Sequence, residues 1–164
     1  MRTAGCFVTA LSLLACASRT ARAPAELSRV PVRITLERRP CYGTCPVYTV
    51  RVDQSGAVAF DGSRFVSRSG PVNGAVSADS VSALAAAFAN GGFFELADRY
   101  VAGTPACQRY AADAPIVVTT ITLGARTKRV EHDHGCTGVP PQLTALEDRV
   151  DSIAGTRRWI VAAP

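Results

Sequence analysis

Arg39-Pro40-Cys41-Tyr42-Gly43-Thr44-Cys45-Pro46-Val47-Tyr48-Thr49-Val50-Arg51-Val52 runs from a tightly constrained loop straight into a strand. Two cysteines, two prolines and a glycine fall in its first eight residues. Past Pro46 the pattern has period two, with Tyr48, Val50 and Val52 on one face and Thr49 and Arg51 on the other. That is a half-buried strand, since a helix would repeat every 3.6 residues. Upstream, Val32-Arg33-Ile34-Thr35-Leu36-Glu37 alternates in the same way. Downstream, Asp53-Gln54-Ser55-Gly56 reads as a hairpin turn, with glycine where positive φ is wanted. Ala57 to Asp61 returns with Val58 and Phe60 inward, and Arg64 to Arg68 supplies a short optional strand.

Helical spacing appears at two places. Ser77 can cap a helix whose first turn holds Asp79 and whose apolar stripe is Val81, Leu84, Ala85 and Phe88. Asn90-Gly91-Gly92 ends it, and Phe93, Phe94 and Leu96 dock on the core. Between the helices, Ile116 to Leu123 is a central strand and Lys128 to Asp133 closes a second hairpin with it. Pro140-Pro141 opens the second helix, with a stripe of Leu143, Leu146, Val150 and Ile153 and a stop at Gly155. The order is strand-strand-strand-(strand)-helix-strand-strand-helix. The expected fold is α+β, an antiparallel sheet of five to six strands with two helices on one face.

At 164 residues, 48% hydrophobic and 19% charged, the chain has material for one core plus appendages. Residues 32–164 are read as that single α+β domain. The net charge of +5 is uneven: Arg2, Arg19, Arg22 and Arg29 against Glu26 give +3 before residue 30, leaving +2 for the rest. No basic stripe with interleaved aromatics is present, so nucleic acid is excluded as a partner.

The amino-terminus reads as an export signal over residues 1–15: Arg2, then an apolar run from Phe7 to Ala15. The run is far shorter than the roughly 20 residues of a spanning helix. Leu13-Leu14-Ala15-Cys16 resembles a bacterial lipobox, which implies cleavage before Cys16 and acylation of its thiol. Ala17 in place of Asp implies outer-membrane sorting, with the domain facing the periplasm. The other reading is a soluble secreted chain cut at Ala15-Cys16-Ala17, before Ser18. Residues 16–31 read as a flexible tether. The expected partners are the membrane, through the N-terminal lipid, and envelope proteins or cell-wall components.

Setting aside Cys6 in the signal and Cys16, four cysteines remain: Cys41, Cys45, Cys107 and Cys136. An even number in an oxidising compartment reads as two disulfides, with three pairings open. Cys41–Cys45 with Cys107–Cys136 is favoured, because Gly43 eases a tight loop and the second bridge ties a long loop to a hairpin end. A cross-pairing needs both loops at one end of the sheet. Cys-x-x-x-Cys-Pro also resembles the copper-binding loop of the Sco-type copper chaperones. That motif opens a helix in a thioredoxin fold, whereas Cys45-Pro46 here opens a strand. The competing function is accordingly a periplasmic copper- or zinc-binding or thiol-redox protein using Cys41 and Cys45.

His132-Asp133-His134-Gly135-Cys136 holds both histidines of the chain. On a strand His132 and His134 share a face, as paired metal ligands would, and Asp133 points away. Cys136 adds a third ligand only if it is reduced. Glu147, Asp148 and Asp151 are assigned to the solvated face of the last helix. Nucleophile elbows, phosphate-binding loops and HExxH helices are absent, so no catalytic residue and no cofactor is assigned. The reading favours a disulfide-stabilised, non-enzymatic binding or structural module, with Tyr42, Gly43, Thr44 and Tyr48 as its contact surface, because loops on rigid scaffolds carry binding.

Residues 33 to about 160 resemble the bacterial family called domain of unknown function 6438. The resemblance rests on Cys41-Tyr42-Gly43-Thr44-Cys45-Pro46-Val47-Tyr48, then Gly56, Gly92-Phe93-Phe94-Glu95-Leu96 and Trp159. It implies an exported, often lipid-anchored domain, and it carries over no catalytic residue. His132, His134, Cys107 and Cys136 are not part of what it carries.

Overall fold

The computed structural model describes residues 31–161. The signal segment, Cys16 and nearly all of the tether lie outside the described residues. Seven strands follow in chain order: β1 (Val32–Arg38), β2 (Val47–Asp53), β3 (Ala57–Arg64), β4 (Gly70–Ala75), β5 (Arg99–Tyr100), β6 (Ile116–Leu123) and β7 (Arg126–Asp133). Helix α1 (Ala78–Asn90) and a 3₁₀ turn, Phe93–Glu95, precede β5. Helix α2 (Pro141–Ala154) and the one-turn α3 (Arg157–Ile160) follow β7.

These strands form one sheet in the order β4-β3-β2-β1-β6-β7-β5. The α+β class is as expected, but the sheet is larger and mixed. β5 pairs parallel with β7, at Arg99↔Glu131 and Tyr100↔His132. Two residues are too few to show a period, and the sequence carries no other sign of this strand. The crossover through α1 returns the chain to the sheet edge running in the same direction as β7. The expected strand over Arg64–Arg68 is also corrected. Phe65 takes φ 53° and breaks the ladder, and the fourth strand starts at Gly70.

Alternation places the core on one face. Ile34 sits between Val52 and Ile121, and Leu36 between Val50 and Thr119. Val58 and Phe60 extend this face across β3, and the helices cover it. Ser77 caps α1 by accepting from Ser80 N at 3.1 Å. Val81, Leu84, Ala85 and Phe88 then bury the stripe, and Phe93 packs edge-on against Phe88 with centroids 4.9 Å apart. Val81, Leu84, Phe88 and Phe93 each contribute roughly 1.5 to 3 kcal/mol by leaving water. Trp159 on α3 packs on Phe60, centroids 4.9 Å apart, so the last turn closes over β3.

The β2–β3 turn depends on Gly56. Its φ is +86°, and a Cβ there would lie 2.1 Å from the carbonyl oxygen of Val76. Gly70 has φ +78° but open space around the same position. Gly56→Ala and Gly70→Ala each lose about 1 to 2 kcal/mol for the left-handed backbone. Gly56→Ala loses more, because the Val76 segment must also move. Urea unfolding of the two variants checks this; equal losses would show that the Val76 contact gives way freely.

Candidate functional site

Four strands present one residue each to a single cross-strand row near the end of the inward face. Tyr48 on β2 pairs with Arg38 on β1, Arg38 with Val117 on β6, and Val117 with His132 on β7. A purely apolar core would put four hydrophobic residues there. Three of these four are polar, and helix α2 supplies what they need. Glu147 and Asp151 are four residues apart, so they lie one above the other on one helix face.

Asp151 serves one half of the row. Its Oδ2 accepts from Arg38, at 2.8 Å to Nε and 2.7 Å to Nη2. Its Oδ1 accepts from the Tyr48 hydroxyl at 2.6 Å and from Thr156 Oγ1 at 2.9 Å. Arg38 Nε also donates to the Tyr48 oxygen at 3.0 Å. Burial and the adjacent Asp151 carboxylate push the Tyr48 hydroxyl pKa up, so it stays a neutral donor. Burial alone would lower the Arg38 pKa, but Asp151 outweighs it and the net direction is upward. Asp148 reaches the same guanidinium only at 3.4 Å and is 70% exposed.

Glu147 serves the other half. Oε1 meets His132 Nδ1 at 2.9 Å and Oε2 meets His134 Nε2 at 3.1 Å. His134 sits in the turn just past the end of β7, and the two imidazoles stack with centroids 4.1 Å apart. The Glu147 side chain is 1% exposed, His132 4% and His134 26%. Burial would raise the Glu147 pKa; the hydrogen bonds from the histidines outweigh it and hold the carboxyl below its usual range. The assignment of Glu147 and Asp151 to a solvated helix face is therefore corrected, and only Asp148 fits it. Glu147 lies four residues after Leu143 and three before Val150, which is the middle of the stripe the sequence already shows. That spacing was the signal for it.

Both disulfides lie just beyond this row, at the same end of the sheet. Cys41 and Cys45 bond each other across Cα atoms 5.8 Å apart, and Cys107 and Cys136 across 5.0 Å. In this state Cys41, Cys45 and Cys136 offer no thiolate to a metal. Loop 39–46 is held to its neighbour by Arg39 N→Ile116 O at 2.8 Å and Tyr42 N→Asp113 O at 3.2 Å. Tyr42 is 88% exposed, while Tyr48 turns its ring into the core at 3%. Gly43 takes φ +137° in the loop. Gly43 and Thr44 are exposed beside Tyr42. The second bridge fixes a strap alongside the continuation of β7. Gln108 N→Thr137 O, Ala111 N→Gly135 O and His134 N→Pro115 O run along it at 3.0, 2.9 and 3.0 Å. Asp133 points away from the two histidines, accepting from Gly135 N at 2.9 Å.

A cleft of about 600 Å³ opens next to Arg38, between Pro46, Tyr48, Asp151, Thr156 and Ile160. Arg38 is three residues before Cys41 and Pro46 follows Cys45, so both ends of the stapled loop border the cleft.

The model of the domain of unknown function 6438 matches residues 32–154, and the chain belongs to this family. No curated protein matches the chain.

The two acids of α2 differ sharply in what their removal costs. Asp151→Ala strands a mostly buried guanidinium and the Tyr48 hydroxyl, and is expected to lower stability by about 2 to 4 kcal/mol. Asp148→Ala changes stability by less than about 0.5 kcal/mol. Denaturant midpoints of the two variants, read against the parent, check the contrast.

Proposed function

We propose that this chain is an envelope lipoprotein whose domain works by binding, not catalysis. It is exported, acylated at Cys16, held to the outer membrane and turned toward the periplasm. The lipobox-like Leu13-Leu14-Ala15-Cys16 supports the anchor, and two disulfides in one small domain fit an oxidising compartment.

The binding site is the cleft at the Cys41–Cys45 loop. One observation carries this: both ends of the disulfide-closed loop, Arg38 and Pro46, line it. A closed loop of this kind has little freedom to lose when a ligand docks, so less ordering cost opposes binding. Tyr42 stands fully exposed on the same loop, where an aromatic ring can cover a ligand or partner at low entropic cost. The cleft suits a ligand with an apolar body for Pro46 and Ile160 and an oxygen acceptor for the Arg38 edge, a description that cell-wall components and envelope proteins both meet.

A photo-crosslinking residue at Ser152, which lines the cleft, is expected to trap an adduct in the intact envelope. The same residue at Arg51, exposed on the opposite face of the sheet, traps none. Cys41→Ser with Cys45→Ser weakens the Ser152 adduct. Equal trapping at both positions, or none at Ser152, places the function elsewhere.

Cys16→Ser tests the anchor separately. The variant is expected to leave the membrane fraction and lose metabolically incorporated palmitate. Retention in the membrane with full labelling counts against it.

A further inference from the structure

We propose that His132, His134 and Glu147 form a binding site for a divalent transition-metal ion of the zinc class, with two nitrogen ligands, one oxygen ligand and a fourth position open. The inference does not rest on the cleft, which involves other side chains.

The first ground is convergence. One ligand atom from each residue can be chosen so that all three lie within 4.8 Å of one another. Glu147 meets the histidines at 2.9 and 3.1 Å. Zinc at roughly 2.0 to 2.2 Å from each ligand spaces neighbouring ligands by little more than these contacts. Drawing the partly exposed His134 ring in toward the carboxylate brings the three ligands to that spacing and admits the ion.

The second ground is charge. The Glu147 carboxylate is buried on every side, and no lysine or arginine among the described residues pairs with it. Asp151, one turn along the same helix, has Arg38 as a permanent cation. A buried carboxylate is stable when paired or when it coordinates a metal. A dication held by all three side chains satisfies the carboxylate.

The third ground is rigidity. His132 lies within β7, and His134 N donates to Pro115 O on the strap that the Cys107–Cys136 bridge holds. Glu147 projects from the centre of a fourteen-residue helix whose neighbours Leu143, Leu146 and Val150 are packed in the core. The three ligands are therefore set before the ion arrives. The donor set is nitrogen and oxygen, which suits zinc and its neighbours over softer monovalent copper. His134 alone is partly exposed, so the open position faces the side from which an ion or an exchangeable water enters.

The test uses the full chain, purified from an export host in detergent, without a histidine tag, and stripped with a chelator. Dialysis against Zn²⁺ alone is followed by elemental counting, and Co²⁺ is then used as a spectroscopic probe of the ligands. One Zn²⁺ per chain is expected, with the visible absorption of four-coordinate Co²⁺ in its place. His134→Ala, whose side chain is not essential to the core, is expected to lower Zn²⁺ affinity at least about 10-fold and to abolish the Co²⁺ signature. Glu147→Gln does the same if it folds. Ser152→Trp, which fills the cleft, leaves metal binding unchanged, so this proposal and the cleft reading fail separately. No stoichiometric Zn²⁺, or Zn²⁺ held equally well by His134→Ala, overturns the site.

Discussion

Everything at the loop end of this sheet depends on how α2 sets two carboxylates onto a polar row. Tyr48, Arg38 and His132 lie on the inward face, where alternation demands burial, yet each carries groups that cannot be left dry. Leaving one such donor unsatisfied costs about 1 to 3 kcal/mol, and more for a charge. Glu147 and Asp151 meet these donors together because residues four apart project from one face of the helix, and long side chains cover the rest of the two strand spacings, about 9.5 Å, from β1 across β6 to β7. The fit fixes the rotation and the axial position of α2. A slip of one residue would turn both acids off the row. The apolar stripe alone gives less specificity, since Leu143, Leu146 and Val150 could pack in several nearby registers.

The disulfides extend the same logic. Cys41–Cys45 closes three residues beyond Arg38, and Cys107–Cys136 closes two beyond His134. Strand ends fray, and a polar row at a frayed end would admit water and lose its geometry. Covalent closure at both flanks keeps it in place. In the chain-entropy model the two bridges are worth about 2 and about 3.5 kcal/mol, the longer loop contributing more. Among the described residues the far end of the sheet has no such closure, and tight turns at Asp53–Gly56 and Gly124–Ala125 join its strands.

Much of this was legible in the sequence, and the gaps have physical causes. β1, β2, β3 and both main helices show their periods plainly, and β6 shows itself by its β-branched composition. β5 could not, because two residues paired at an edge have no period to read. The favoured cysteine pairing matches the structure, but topology alone did not force it. Tyr42 N bonds Asp113 O, so the two cysteine loops do sit at one end of the sheet, which is the condition for cross-pairing. The expectation that His132 and His134 share a face of one strand is met differently: His134 lies in the turn past β7, and its ring stacks back on His132. Their partner was missed because Glu147 was counted by its charge and not by its position in the stripe. The same bias hid Asp151, and Arg38 was missed because the expected strand stopped at Glu37. A charged residue at a core position is assigned to solvent unless its counterpart is known, and that counterpart lies more than 100 residues away, Arg38 to Asp151 being 113 apart.

Such a row is an expensive way to dock a helix. Hydrophobic residues of similar volume often match or exceed the stability of a buried ion pair. Arg38 and Asp151 border a cleft, so their polarity has a use at a surface. His132 and Glu147 are buried almost completely. If packing were the only requirement, leucine or methionine at these two positions would fill the same space without a charge to compensate. Two imidazoles around a carboxylate that has no permanent cation are more economically explained by an ion than by a core. The asymmetry between the halves of the row, one acid with its arginine and one acid without, is the strongest reason to look for metal at the second.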